Sequence, residues 1–231
     1  MKDKSLDLLA QSDTYAVIEY LAQQPDRLTA AKTYVELVRH CYWQQKDLPL
    51  TVMLARAGIQ HGLTTAHTTA SADSAYELRS LAKTLAYDLA SFTWPGWDEP
   101  GIVTDASQVA VGLDAAKLNL RLARELEKGG LPLARAYWML GAQCVAHQQY
   151  VQAKAHFADS AHHAQATGES AEALLAQAFA ALTDVLAAPD DPAPRQTLAD
   201  LKHQLAAQPD GEAFVSQADT ALRVFSSPRK G

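Results

Sequence analysis

The fold of this chain is decided by two adjacent stretches, LPLARAYWMLGAQC at 131–144 and YVQAKAHFADSAHHA at 150–164. In each stretch, apolar side chains recur at the spacing of one helix face: Leu133, Tyr137, Leu140 and Cys144 in the first, and Ala153, Phe157 and Ala161 in the second. Gly141 and Ala153 are small at points where the two helices must approach closely. The sequence therefore predicts two amphipathic helices joined by a tight turn near Gln148 and Gln149.

This helix pair resembles a tetratricopeptide repeat (TPR). In that repeat an aromatic residue, a Leu-Gly pair, an alanine, a second aromatic residue and another alanine occupy set positions in a unit of about 34 residues. The pattern also occurs earlier in the chain, at a constant separation of 103 residues. The matched positions are Leu28 with Leu131, Ala31 with Ala134, Lys32 with Arg135, Tyr34 with Tyr137, Leu37 with Leu140, Cys41 with Cys144, and Leu54 with Phe157. This separation is close to three periods of a stacked array.

The chain departs from the TPR pattern in two ways. Val38 stands where the second copy has Gly141, and no proline ends each helix pair. The middle pair, at 74–128, is also lengthened by the loop WPGW at 94–97. Two architectures stay open on these grounds: a loose TPR-like array, or a helical bundle that contains repeat-like pieces.

The composition agrees with a helical fold. Of the 231 residues, 48% are hydrophobic and only 11 are glycine and 10 proline, which favours helix over sheet. We expect an all-α fold, an antiparallel helix-pair array of the TPR-like α-α superhelix type with about ten helices. It should form a single domain over 13–226, with flexible tails at 1–12 and 227–231.

Charge and hydropathy argue against several classes of partner. A net charge of -6 lacks the basic excess with which nucleic-acid binders displace counterions. No stretch reaches the roughly 18 uninterrupted apolar residues of a membrane helix, and residues 1–7 show no apolar run of a signal peptide. Cys41 and Cys144 give no disulfide framework and suit a reducing compartment. We therefore expect a cytoplasmic protein that binds neither nucleic acid nor membrane.

Capping residues predict several helix ends. The predicted N-caps are Asp13, Asp47, Ser170, Asp191 and Asp210. Gly62 is predicted to end the helix that follows Asp47, because glycine is the usual residue just after a helix. Residues 63–71 would then form a polar linker.

In TPR arrays the first helix of each pair lines the concave face, so the resemblance implies a set of surface positions. These positions are mostly basic or aromatic: Lys32, Arg39, Tyr42, Tyr76, Arg79, Lys83, Tyr87, Arg135 and Trp138. Such a face implies a groove for an acidic segment of a protein or peptide. Guanidinium groups donate bidentate hydrogen bonds to carboxylates, and aromatic rings supply rigid contact area. Alternatively, the Lys and Arg residues solvate a helix face while the aromatic residues pack into neighbours. Asn119 is the only asparagine, so the Asn-containing carboxylate clamp of chaperone-binding TPR domains is not expected.

Enzyme chemistry has weaker signals in this chain. No P-loop, dinucleotide fingerprint, serine elbow or His-Glu-x-x-His motif is present. We therefore expect a non-catalytic binding module without a cofactor or metal. The alternative is a helical small-ligand or metal-dependent enzyme with a site near His147 and His156, where Cys144 would be a further ligand. Cys144, however, occupies a core position of the repeat, and a free cysteine is most often a small buried hydrophobe.

Two further stretches suggest buried or partner-facing surfaces. Trp94 and Trp97 fall within four residues of a turn, and we expect them to fill the space between long helices rather than to anchor a partner. The last predicted helix carries an apolar stripe, which either belongs to the core or mediates self-assembly. The stripe consists of Phe214, Ala218, Ala221, Leu222 and Phe225.

Overall fold

A computed structural model describes residues 1–11 and 13–227 of the chain. These residues form eleven α-helices and no strand, which confirms the predicted all-α fold with about ten helices. The helices are α1 (Lys2–Ala10), α2 (Thr14–Ala22), α3 (Arg27–His40), α4 (Leu48–Thr68), α5 (Ala72–Phe92), α6 (Ala106–Glu125), α7 (Gly130–Ala146), α8 (Tyr150–Ala166), α9 (Ser170–Ala187), α10 (Pro192–Ala206) and α11 (Gly211–Ser226). A π-helical turn, Cys41–Gln45, extends α3, and a short 3-10 turn, Pro95–Trp97, follows α5.

Consecutive helices pack as pairs, α3 with α4, α5 with α6, α7 with α8 and α9 with α10. The first helices of successive pairs also contact one another, so that α3, α5, α7 and α9 form a continuous row. The second helices from α4 to α10 make at most slight contact with each other. The array therefore curves towards its first helices, and we call the face that these four helices line the inner face.

Glycine sets the close approach of two helices in both repeat-like pairs, but on opposite members of the pair. In α7, a Cβ at Gly141 would lie 2.8 Å from the Phe157 ring of α8, so the ring fits only against glycine. In the pair of α3 and α4 the glycine is Gly58 on the second helix, where a Cβ would lie 2.7 Å from Tyr34. Because Gly58 supplies this contact, the equivalent of Gly141 can be Val38.

The ends of several helices follow their capping residues. Three of the predicted caps are confirmed, since their side chains accept a hydrogen bond from a backbone N–H of the first turn: Asp13 from Ala16 (2.8 Å), Asp47 from Leu50 (2.9 Å) and Asp191 from Ala193 (2.9 Å). Two others differ from the prediction. Ser170 is the first residue of α9 rather than its cap, which is Glu169. Asp210 precedes α11 with a left-handed backbone (φ 58°), and its side chain makes no capping hydrogen bond.

The predicted end of a helix at Gly62 is wrong. The helix α4 continues to Thr68, so most of 63–71 is helical rather than a linker. Gly62 is buried inside α4, where a Cβ would lie 3.0 Å from the carbonyl oxygen of Leu78 and 3.3 Å from the Ala82 side chain. The missing side chain thus allows α4 and α5 to pack closely, and this packing outweighs the weak helix propensity of glycine.

The first residues of the chain form a packed helix where the sequence suggested a flexible tail over 1–12. The helix α1 packs against α2 and α3 and buries Ser5 and Leu9. A stacked array exposes the apolar side of its first pair unless another element covers it, and α1 does so here. At the other end, 228–231 of the expected tail lie outside the described residues.

The helix α9 is long and apolar enough to pass for a membrane span by length and composition. Half of this segment is buried within the fold, where α9 packs against α7, α8, α10 and α11. Core helices of globular proteins can have the same length and composition, so these two properties do not identify α9 as a membrane helix.

Candidate functional site

Most basic residues predicted for the inner face are bound by carboxylates of neighbouring helices. The ion pairs are Lys32 with Glu77 (2.9 Å), Arg39 with Asp88 (2.7 Å), Arg79 with Glu125, and Arg135 with Glu172 (2.9 Å). The first two join α3 to α5, the third joins α5 to α6, and the last joins α7 to α9. The charges of these residues are therefore largely neutralised within the chain, and the ion pairs join neighbouring helices.

Lys83 is the exception among these predicted basic residues. Within the described part of the chain no carboxylate forms an ion pair with Lys83, nor with its neighbour Lys128 at the end of α6. The ammonium group of Lys83 lies 6.0 Å from the ring centre of Tyr87, and Lys128 donates a hydrogen bond to the hydroxyl of Tyr76 at 2.8 Å. Lys83 on the inner face and Lys128 in the turn after α6 thus form no ion pair with the described carboxylates.

Burial and charge act in the same direction on Lys83. Burial lowers the pKa of Lys83, and repulsion from Lys128 lowers it further, while the nearby Asp88 opposes both effects. Burial also raises the pKa of Tyr87 to about 12, so this phenol stays protonated and can donate a hydrogen bond at neutral pH. The carboxylates of Glu172 and Asp88 also raise the pKa of Tyr87, whereas Arg135 lowers it.

Lys83 and Tyr87 of α5 face the beginning of α7 across a small cleft, which we call the α5–α7 cleft. It has a volume of about 240 Å³ and is lined by Lys83, Tyr87, Leu131, Pro132 and Arg135. Leu131 and Pro132 supply its apolar side, and Arg135 stands exposed beside it while it holds Glu172. Three of the nine predicted site residues therefore meet at one place, which combines positive charge, a phenol and an apolar wall.

Two of the predicted aromatic contacts are buried, and their assignment to a ligand-facing groove is corrected. Tyr42 is 2% exposed and stacks on Phe92 with ring centres 3.9 Å apart. Trp138 is 5% exposed and packs edge to face against Phe179 at 4.9 Å. Of the aromatic residues predicted for the groove, Tyr76 is exposed and Tyr87 half-buried.

A π-helical turn follows α3. The backbone N–H of Lys46 donates to the carbonyl of Cys41, five residues earlier, so this turn is wider than an α-helical one. Arg39 and Trp43 line a shallow cleft of about 320 Å³ beside this turn, and Trp43 is 49% exposed. Trp43 was not among the predicted site residues, because the positions taken from the TPR-like pattern do not include it.

Trp94 and Trp97 fill space between helices, as predicted. Trp94 is 2% exposed, and its indole N–H donates to the carbonyl of Ala142 in α7 at 2.9 Å. The indole of Trp97 donates to the carbonyl of Ser91 at 2.9 Å, and the two tryptophan rings meet edge to face at 4.9 Å. With both N–H groups bonded, the loop is part of the core and offers no free tryptophan to a partner.

The apolar stripe of α11 packs within the chain. The helix lies against α9, α10 and the turn Pro95–Trp97, with Ala218 and Ala221 buried and the Phe225 ring 5.8 Å from that of Trp94. An ion pair between Arg223 and Asp98 (2.8 Å) fixes the end of α11 to the same loop. The surface suggested for self-assembly is therefore largely covered by the chain itself.

The histidines of the alternative enzyme hypothesis have separate surroundings. A ring nitrogen of His147 lies 3.2 Å from the carbonyl oxygen of Val109, whereas His156 lies beside Tyr137 with ring centres 6.3 Å apart. Among the described residues no group of three or more His, Cys, Asp or Glu side chains is arranged to hold a metal ion. Burial raises the pKa of Cys41 to about 12 and that of Cys144 to about 11, so neither thiol is activated as a nucleophile.

Comparison with models of known protein families, with curated proteins and with solved structures finds no match to this chain.

Proposed function

We propose that this protein is a non-catalytic module that binds a peptide segment of a partner protein on its inner face, as TPR-like helical repeats do. The observation that carries the proposal is the α5–α7 cleft, where Lys83 keeps an unneutralised charge beside Tyr87 while the other predicted cations are paired. Charge-assisted hydrogen bonds from such a lysine favour an acidic group in the bound segment. A rigid array of packed helices supports this role because it presents the cleft without a cost for ordering it.

The cysteines support action of this module in the cytoplasm. Cys41 and Cys144 are both free and buried, and they lie in different helix pairs. A chain whose thiols serve as core side chains suits a reducing compartment.

The proposal can be tested with fluorescein-labelled nonapeptide pools that have a central glutamate or a central lysine and random flanks. We expect the wild-type protein to bind the glutamate pool and not the lysine pool in fluorescence anisotropy titrations. Lys83→Glu should abolish this binding because it places a negative charge in the cleft. Lys4→Glu makes the same charge change at an exposed position of α1 and should have no effect. Equal binding by wild type and Lys83→Glu would contradict the proposal.

The alternative is a small-ligand or metal-dependent enzyme near His147. It is favoured by one observation, a cleft of about 810 Å³ that His147 lines together with Thr104, Asp105 and Tyr150. Asp105, however, is engaged as the cap of α6, where it accepts a hydrogen bond from the backbone N–H of Gln108 at 2.9 Å. Elemental analysis of the purified protein distinguishes the two proposals, because a stoichiometric metal would favour the enzyme.

A further inference from the structure

We propose that the α5–α7 cleft binds the phosphoryl group of a phosphorylated residue, so that the module recognises phosphorylated peptides. This inference rests on the proposed function and specifies its ligand. Three properties of the cleft support this ligand: its charge, its hydrogen-bond donors and its size.

The charge of the site matches a dianion better than a single carboxylate. Neither Lys83 nor Lys128 forms an ion pair with a carboxylate within the described residues. Repulsion from Lys128 lowers the pKa of Lys83, and the nearby Asp88 opposes this effect. A phosphate monoester carries a charge of about -1.5 to -2 at neutral pH, whereas a carboxylate carries only one negative charge. Binding of a phosphoryl group would therefore relieve the repulsion between the two ammonium groups.

The donors of the site also suit a phosphoryl group. Among the described residues the hydroxyl of Tyr87 makes no hydrogen bond, and the ammonium groups of Lys83 and Lys128 carry several N–H donors each. Lys83, Tyr87 and Arg135 line the cleft together, so their donors can reach the terminal oxygens of one phosphate monoester. Lys128 does not line the cleft, since its ammonium group contacts Tyr76.

The surroundings argue against a longer acidic segment. Three other predicted cations of the inner face, Lys32, Arg39 and Arg135, already hold carboxylates, so a run of acidic residues would meet the negative as well as the positive member of each pair. The cleft itself, at about 240 Å³, has room for one modified side chain. Its apolar wall of Leu131 and Pro132 can contact the residue that carries the phosphate.

The test uses the full-length protein and three labelled nonapeptide pools with random flanks and a central phosphoserine, glutamate or serine. In anisotropy titrations we expect the phosphoserine pool to bind about tenfold more tightly than the glutamate pool, and the serine pool to bind least. Lys83→Gln should weaken phosphoserine binding about tenfold, since it removes one charge-assisted hydrogen bond. Lys128→Gln should weaken it less, because Lys128 does not line the cleft. Lys4→Gln is the matched control and should bind as wild type does.

The possible outcomes separate this inference from the proposed function. Equal binding of the phosphoserine and glutamate pools would overturn the inference and leave peptide binding intact, whereas binding of no pool would overturn both. Inorganic phosphate serves as a competitor, and displacement of the peptides at equal concentration would show that the site takes free phosphate instead of a phosphorylated peptide. Thermal unfolding followed by circular dichroism checks that the variants are folded. If both lysine variants are folded and bind unchanged, the cleft is not the binding site.

Discussion

Arg39 and Asp88 form a two-point ion pair between the first helices of neighbouring pairs, with Nε to Oδ2 at 2.7 Å and Nη2 to Oδ1 at 3.3 Å. The two side chains differ in exposure, because that of Arg39 is 51% exposed whereas that of Asp88 is 9% exposed. Burial raises the pKa of Asp88, and the hydrogen bond from Arg39 opposes this rise. The arginine therefore allows a carboxylate to stay charged inside the contact between α3 and α5.

Removal of the arginine should destabilise the protein more than removal of the acid. Arg39→Gln leaves a buried carboxylate without its partner, and we expect a loss of roughly 3 kcal/mol in the free energy of unfolding. Asp88→Asn leaves an arginine that water can solvate, at a cost of about 1 kcal/mol. Urea unfolding at pH 7 measures both changes. The opposite order of the two losses would show that Asp88 does not depend on Arg39.

The stability loss of Arg39→Gln should also depend on pH. A group whose pKa is raised in the folded state contributes stability below its unfolded pKa and loses that contribution as the pH rises through the folded pKa. The pKa of Asp88 is raised by burial and should rise further in Arg39→Gln. The loss in the free energy of unfolding of Arg39→Gln relative to wild type should therefore become smaller as the pH is lowered from 7 towards the raised pKa of Asp88. A deficit that stays constant with pH would contradict this account.

Gly96→Ala should displace the ring of Trp94, which packs between the helices against Gly96. A Cβ at Gly96 would lie 2.3 Å from the ring of Trp94, which is enclosed on all sides. We expect a loss of about 1–3 kcal/mol from overpacking and a red shift of the tryptophan emission. Gly129→Ala is the matched control, because no atom lies within 4 Å of a Cβ at Gly129. If both variants behave alike, the tight fit of Trp94 over Gly96 is refuted.

Substitution of two adjacent aromatic residues in the π-helical turn, Tyr42 and Trp43, should lower the stability by different amounts. Tyr42→Ala removes a buried ring stacked on Phe92 and should cost about 3–5 kcal/mol. Trp43→Ala removes a half-exposed ring and should cost about 1 kcal/mol, including its contact with Lys46 at 5.2 Å. Thermal and urea unfolding test this difference. Similar losses for both variants would contradict the burial of Tyr42 against Phe92 and the exposure of Trp43.

Glu172→Gln should strengthen ligand binding at the α5–α7 cleft. The substitution removes the negative charge that neutralises Arg135, while the amide oxygen can still accept a hydrogen bond from it. We expect the affinity for the phosphoserine pool to rise about threefold to tenfold, with a change in stability below about 1 kcal/mol. Anisotropy titration of wild type and variant in parallel measures this gain. Unchanged or weaker binding would mean that Arg135 lies outside the site.

Alkaline pH should weaken the fold through buried tyrosines. Burial raises the pKa of both Tyr34 and Tyr42 to about 12, above the value of 10.0 for an unperturbed tyrosine. The unfolded chain therefore releases these protons first, so the stabilising contribution is complete below pH 10 and is lost as the pH rises through about 12. Absorbance at about 295 nm reports phenolate formation, and urea unfolding at pH 9 and 11 reports stability. Stability that does not fall over this range would contradict the burial of these phenols.

Local sequence was a good guide wherever the interactions are local. The caps Asp13, Asp47 and Asp191 bond to backbone groups two or three residues away, so a short window contains both partners. Gly62 was misread for the opposite reason. Its role depends on Leu78 and Ala82 of the next helix, and no short window around Gly62 includes them.

The candidate site was only partly predictable. The counting of positions from the TPR-like pattern brought Lys83, Tyr87 and Arg135 to one face, and these three line the α5–α7 cleft. The same counting placed Tyr42 on that face, whereas Tyr42 is buried and stacks on Phe92 at the end of α5. It also treated Arg135 as a free charge, since the carboxylate that binds it lies 37 residues further along the chain.

The sequence by itself determined that this chain is helical, where several of its helices begin, and which small and aromatic residues allow helix pairs to pack. These properties depend on periodicity and on contacts between near neighbours in the chain. Only the tertiary structure decided which inner-face charges remain available. The partners of Lys32, Arg39 and Arg135 lie on other helices, and each ion pair forms only because the array brings those helices together. The free charge of Lys83 is thus a property of the packed array, because it depends on which carboxylates the fold places elsewhere.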